Sequence, residues 1–169
     1  NSIWEAGISS QKGWKKPKAN DDRSTKETWI KSKYQWKGFL EYTAEDGQRQ
    51  EEREAKFNVD LFHASLGGDV YRVAEALAKG GSVDWKNASE GDKTALHACA
   101  VGGYTSSKDD QVDDGGGLAN WQGRECAELL IQNGAKLDTT DSEEHDVLEC
   151  AVCGNGRREM VEFLTAKLA

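Results

Sequence analysis

Leu61-Phe62-His63-Ala64-Ser65-Leu66-Gly67-Gly68 returns as Leu96-His97-Ala98-Cys99-Ala100-Val101-Gly102-Gly103. It returns again as Leu148-Glu149-Cys150-Ala151-Val152-Cys153-Gly154-Asn155. Each copy is a short apolar helix pattern that stops at Gly. A second amphipathic stretch follows each: Val70 to Ala78, Arg124 to Gln132, and Arg157 to Lys167. The first two stretches close on Gly80-Gly81-Ser82-Val83-Asp84 and Gly134-Ala135-Lys136-Leu137-Asp138. Gly there suits the left-handed residue that ends a helix and turns the chain into an extended finger. One such unit cannot bury its own apolar face, so the pattern predicts neighbours that stack.

The spacing narrows the reading. Leu61 to Leu96 is one period of 35 residues, near the period of about 33 of ankyrin repeats. Thr94-Ala95-Leu96-His97-Ala98-Cys99 resembles the ankyrin Thr-Pro-Leu-His-x-Ala signature, with Ala95 in place of proline. The resemblance implies an all-α-dominated solenoid of three repeats over residues 58–169, marked by Leu61, Leu96, His97 and Leu148. Leu96 to Leu148 spans 52 residues, 19 more than one period. The surplus is assigned to an acidic, Gly-rich insert at about residues 104–123, with Trp121 at its far end. Met160, Val161, Phe163 and Leu164 are expected on an outer face that no further finger covers.

Outward toward the N-terminus the composition changes. Residues 1–37 carry nine Lys/Arg against four Asp/Glu, and residues 38–169 carry thirteen against twenty-six. Opposite signs in the two parts point to two modules with different partners. Ser24-Thr25-Lys26-Glu27 reads as a capping box, with a helix running from it to about Glu41. That helix carries Trp29, Ile30, Tyr34, Trp36, Phe39 and Leu40 over more than one stripe, so it needs partner surface on at least two sides. Residues 41–57 read as a charged linker, either an extension of the preceding helix or a hinge.

The chain of 169 residues has no apolar run near the roughly 20 residues that cross a bilayer. Cys99, Cys126, Cys150 and Cys153 lack the density of a disulfide scaffold, which favours a reducing, cytoplasmic setting. Cys150-x-x-Cys153 has the spacing of half a zinc site, yet zinc needs four ligands. Buried thiols on one helix are the expected reading. His97 is expected to tie neighbouring fingers by a hydrogen bond. His63 and His145 stand in no nucleophilic constellation. Asp109, Asp110, Asp113 and Asp114 lack the alternation of a calcium loop. Lys12, Lys15, Lys16 and Lys18, with Trp14 among them, form a basic loop. Such a loop can face phosphates or an anionic membrane surface. No nucleic-acid partner is expected.

A second resemblance covers the N-terminal part. Asn1-Ser2-Ile3-Trp4-Glu5, Lys16-Pro17, Asp22-Arg23, Lys26-Glu27, Trp29-Ile30, Lys33-Tyr34 and Phe39 resemble the C-terminal end of an Arf GTPase-activating domain. The order of that domain and ankyrin repeats is similar to the ACAP and centaurin-beta group. Val83-Asp84-Trp85-Lys86-Asn87 and Asp141-Ser142-Glu143, with the later Leu148, resemble fingers of that group. The resemblance implies that residues 1–40 hold the backing helices of the activating domain, and that the basic loop of Lys12, Trp14, Lys15, Lys16 and Lys18 faces the GTPase or the membrane. Trp4, Trp29, Ile30, Lys33 and Tyr34 would be its structural signature, with Trp4, Trp29, Ile30 and Tyr34 in its core. Because the chain starts at Asn1 and its only Met is Met160, it is expected to be a piece of a longer GTPase activator. The family's zinc finger, and the arginine that assists GTP hydrolysis on an Arf-family GTPase, match nothing here. No catalytic residue, metal ligand or cofactor is therefore carried over, and zinc is expected only in the upstream part. The alternative is a non-catalytic scaffold whose repeats bind a protein ligand.

Overall fold

Asp22 starts the first helix, and its carboxylate explains why. Oδ1 accepts from the Thr25 amide at 2.8 Å, and Oδ2 accepts from the Thr25 hydroxyl at 2.9 Å. A carboxylate at a helix N-terminus satisfies an orphan amide and meets the positive end of the dipole. It therefore takes the cap that the sequence reading gave to Ser24. The computed structural model that shows this describes residues 2–10, 13–43, 46–47, 49–102, 122–153 and 157–169. Lys12, Trp121 and almost all of the expected insert lie outside the described residues. The chain divides into two compact units, residues 1–53 and 54–169. Its described residues are helical apart from turns and one isolated antiparallel bridge between Asn87 and Lys93. No described helix is long and apolar enough to cross a membrane.

The first unit contains helix α1 (Arg23–Ile30), continued by one π-helical turn over Lys31–Gln35. The helix stops there and does not reach Glu41. Lys37 enters the left-handed region at φ 51°, which breaks the helical path. The returning strand of chain is pinned by Gly38 N–H to Ser32 C=O at 2.9 Å and Gly7 N–H to Phe39 C=O at 2.8 Å. Trp29, Phe39 and Leu40 form a small buried centre. The Trp29 and Phe39 rings sit 4.7 Å apart. Trp14 leans on both, at 6.2 Å and 5.1 Å.

The second unit takes the chain from Glu54, within α2 (Gln50–Gly67). Residues 50–57 are neither a hinge nor an extension of the preceding helix: they form the first turns of the following one. After α2 come α3 (Val70–Lys79), α4 (Ala95–Val101), α5 (Gly123–Gln132), α6 (Val147–Cys153) and α7 (Arg158–Leu168). α3 packs on α5 and α5 on α7, while α4 packs on α6. α4 also pairs with α5, and α6 with α7. The result is two rows of helices with one core between them. Leu61, Val73, Leu96, Cys99, Cys126, Leu130, Val147, Met160 and Leu164 are all at most 1 % exposed within it.

The caps set where each helix begins and ends. Thr94 and His97 bond reciprocally as a capping box at the start of α4. Asp146 and Glu149 do the same for α6: Glu149 N–H reaches Asp146 Oδ1 at 2.8 Å, and Asp146 N–H reaches Glu149 Oε2 at 2.9 Å. Gly80 closes α3 at φ 118°, and Gly134 follows α5 at φ 94°, a conformation open to Gly at little cost. At the end of α7 the expectation fails. Met160, Phe163 and Leu164 are buried and belong to the core; the uncovered apolar residues nearby are Val152 and Leu168.

Candidate functional site

In the first unit the candidate surface is basic and aromatic. Lys15, Lys16 and Lys18 are exposed, as are Ile30, Tyr34 and Trp36. Ile30 and Tyr34, expected in a core, are therefore surface residues here, at 54 % and 49 % exposure. They sit four residues apart on the helical run that buries Trp29, so burying one face turns the other outward. Trp4 is half-buried with its ring 5.2 Å from Tyr34. Trp14 remains 40 % exposed while packing on Trp29 and Phe39, so only part of its ring faces solvent.

One of the signature cations is internal. Lys33 is buried, and its Nζ lies 2.7 Å from Glu5 Oε1. Lys16 holds the other oxygen of Glu5 at 3.1 Å. The hydrogen bond from Lys33 is the main force that lowers the Glu5 pKa, with Lys16 adding to it. Burial works against the charge of Lys33, but Glu5 and Tyr34 outweigh it and the pKa rises. This pair anchors the N-terminal segment. Lys15 and Lys18 remain as the outward charges of the candidate loop.

In the second unit the fingers form the candidate surface. Ser142 N–H donates to Gly91 C=O at 2.9 Å, and Lys86 Nζ donates to Thr140 C=O at 2.6 Å. Lys136 N–H reaches Asp84 Oδ1 at 3.3 Å. These bonds join one finger to the next. His97 caps its own helix: its Nδ1 meets the Thr94 hydroxyl at 2.8 Å and the Thr94 N–H at 3.2 Å. It also reaches the next finger through the His145 backbone, as expected, although its buried Nε2 falls short of full hydrogen-bond geometry there. Burial lowers the His97 pKa, against the opposing pull of the His145 carbonyl and Asp141, so the ring stays neutral at neutral pH. Leu61 and Leu96 are core residues, and Leu148 is partly buried against that core.

Cysteine spacing misled on one point. Cys150 is buried but Cys153 is exposed, so the two thiols do not share an environment. Cys150 meets Asp141 instead, with Sγ 3.4 Å from Oδ2. Burial, then that carboxylate, pushes the Cys150 thiol up to about 12. Burial would raise Asp141, yet the His145 and Glu143 amides, the Cys150 thiol and Lys93 hold it well below the usual carboxylate range. Cys99 is fully buried beside Cys126, and burial raises its pKa. Neither Cys99 nor Cys150 resembles an activated nucleophile, which needs a lowered pKa and access.

A groove that sequence reading missed runs over the second row of helices. Val70, Leu129 and Phe163 give it apolar lining, and Arg124, Glu125, Glu128 and Gln132 edge it. Its volume is about 570 Å³. Arg124 and Lys167 flank the Phe163 ring at 5.5 Å and 5.4 Å. Lys167 also pairs with Glu128 at 2.7 Å, so the charges here largely satisfy one another. No family model matches the chain, and no curated protein matches it.

Proposed function

We propose that the chain serves in the regulation of Arf-family small GTPases, as a non-catalytic part of a GTPase-activating protein. In this reading residues 1–40 supply backing helices of the activating domain. Residues 58–169 supply an ankyrin-repeat module that binds a protein ligand. The observation that carries it is the exposure of Ile30, Tyr34 and Trp36, and of Lys15 and Lys18, within one unit. Those residues leave aromatic and basic groups open to a partner, on the segment that resembles the activating domain. The second unit supports it through fingers braced against one another, which hold a rigid surface for protein recognition. The GTPase regulator would act in the cytoplasm and be recruited to membranes, where the lysines favour anionic lipid.

The test pairs binding with turnover. The chain is titrated into Arf loaded with a non-hydrolysable GTP analogue, and phosphate release is followed separately with GTP-loaded Arf. Binding that Lys15→Glu with Lys18→Glu weakens, without faster hydrolysis, supports the reading. Hydrolysis near that of an intact activator overturns the non-catalytic assignment. No binding to Arf overturns the GTPase assignment and leaves the scaffold reading, in which the repeats alone carry the interaction.

A further inference from the structure

Asp141, His145 and Cys150 are far apart in kind but close in space. A carboxylate oxygen, a ring nitrogen and a thiol sulfur from these residues all lie within 4.8 Å of one another. Asp141 and Cys150 are buried, and His145 is half-buried. Zinc bonds of about 2.0–2.3 Å in a tetrahedron place ligand atoms roughly 3.3–3.8 Å apart. The Cys150 Sγ to Asp141 Oδ2 distance of 3.4 Å already has that span.

The carboxylate is also held in a ligand's pose. Asp141 Oδ1 accepts from the Glu143 amide at 2.9 Å and the His145 amide at 3.1 Å. Those two bonds fix the group and turn Oδ2 toward Cys150. Oδ2 already faces a cation, the Lys93 ammonium at 3.2 Å. The Glu143 carboxylate stands 3.5 Å from His145 Nδ1, where it can orient the imidazole in the manner of an outer-shell carboxylate. The His145 side chain is 38 % exposed, which gives the ring room to close on an ion and leaves a solvent path to it.

We propose that Asp141, His145 and Cys150 bind one zinc-class divalent ion, which displaces the Lys93 ammonium from Asp141. The donor set of one oxygen, one nitrogen and one sulfur suits zinc, and cobalt as its spectroscopic substitute. It disfavours calcium and magnesium, which need oxygen shells. On binding, the Cys150 S–H bond breaks and its electron pair forms the metal–sulfur bond. The proton leaves to solvent, and no oxidation state changes. Water completes the shell from the open side. Cys153 takes no part.

The experiment uses the whole chain, kept reduced, with cobalt(II) as probe and zinc(II) as competitor. One cobalt per chain is expected, with a thiolate-to-cobalt absorption that zinc abolishes. Cys150→Ser removes that absorption and weakens zinc binding at least about 10-fold. His145→Ala weakens it similarly, and Cys153→Ser leaves both readouts unchanged. Lys93→Met tightens binding, because the competing ammonium is gone; a purely structural role for Asp141 has no reason to produce that. Far-UV circular dichroism confirms that each variant is folded, and His145→Ala changes the least buried ligand. No absorption with cobalt in several-fold excess overturns the proposal. So does Cys150→Ser binding like the unaltered chain, loss of binding in Cys153→Ser, or weaker binding in Lys93→Met.

Discussion

The two units are held together by different means. The second buries Leu61, Leu96, Leu130 and Leu164 at no more than 1 % exposure, in a core continuous from α2 to α7. The first has a centre of Trp29, Phe39 and Leu40, and braces its N-terminal segment with the Glu5–Lys33 ion pair. Stacked aliphatic layers add stability from one neighbour to the next. A few aromatic contacts and a charge pair do not, so the first unit has more to lose from a change in pH. The tryptophans make the difference measurable. Trp4, Trp14, Trp29 and Trp36, four of the six, lie in the first unit, so fluorescence weights that unit while far-UV circular dichroism weights the helices of the second.

The largest effect is expected from Leu96→Ala. Leu96 is 1 % exposed in the middle helix pair, and truncating such a leucine costs about 3 kcal/mol, within a range of roughly 2–5. In urea the circular dichroism midpoint should fall sharply while the fluorescence transition moves little. A parallel fall in both signals would break the comparison, because the units would then unfold as one.

Gly102→Ala should come next. A Cβ at Gly102 would stand 2.5 Å from the Leu66 carbonyl oxygen and 2.8 Å from that of Ala98. Both are backbone atoms, so the ends of α2 and α4 must part, at a cost of about 1–3 kcal/mol. Gly67 is the control: a Cβ there meets nothing within 4 Å. Gly67→Ala should leave the urea midpoint unchanged or raise it. Equal losses in both variants would mean that the packing of α4 on α2 does not depend on this close approach.

The third contrast is in pH. The folded pKa of Glu5 lies below its ordinary value of 4.5, so the folded state binds fewer protons there than the unfolded chain. Its contribution is complete above about 4.5 and is lost as pH falls through the folded value. The folded pKa of Lys33 lies above its ordinary 10.5, so that part is complete below 10.5 and lost as pH rises through the folded value. Glu5→Gln should lower stability by roughly 1–2 kcal/mol at neutral pH, less than for a fully buried pair because Glu5 keeps some solvent. It should also flatten the acid limb of melts followed by fluorescence. An unchanged acid limb would mean that the pair does not support the first unit.

The second unit was largely legible because its information is periodic. Apolar and small residues recur at helical spacing, and Gly stops each run, so the helices fall where the pattern puts them. Local competition was harder to read. Asp22 and Ser24 are both good N-caps two residues apart, and the charged one won. Gln50-Glu51-Glu52-Arg53-Glu54-Ala55-Lys56 consists of strong helix formers, a signal hidden by its charge when the stretch was read as a linker. Cys150 and Cys153 lie about 60° apart around their helix, enough for the burial boundary to pass between them. The core placement of Ile30 and Tyr34 is implied by the resemblance alone, and a resemblance cannot say which face of a short helix finds a partner in this chain. The Asp141, His145 and Cys150 cluster was not legible at all. Its three members come from a turn and a helix, with no motif spacing to announce them.

The smallest effect is at a strained turn of the second unit. Glu144 adopts φ 64°, a left-handed conformation that favours Gly. A side chain there costs about 1–2 kcal/mol from the clash of Cβ with backbone. Gly would remove that strain but lose roughly 0.5–1 kcal/mol through the greater freedom of the unfolded chain. The net expectation for Glu144→Gly is a gain of about 0.5 kcal/mol, read as a small rise in the circular dichroism midpoint with fluorescence unmoved. The side chain has no compensating role in the described structure, since Glu144 is exposed and the finger bonds are made by Asp141 and Ser142. A loss of stability instead would show that the second unit depends on this turn being stiff more than on its being unstrained. The stack would then draw stability from restricted fingers as well as from its aliphatic core, and the contrast with the first unit would narrow.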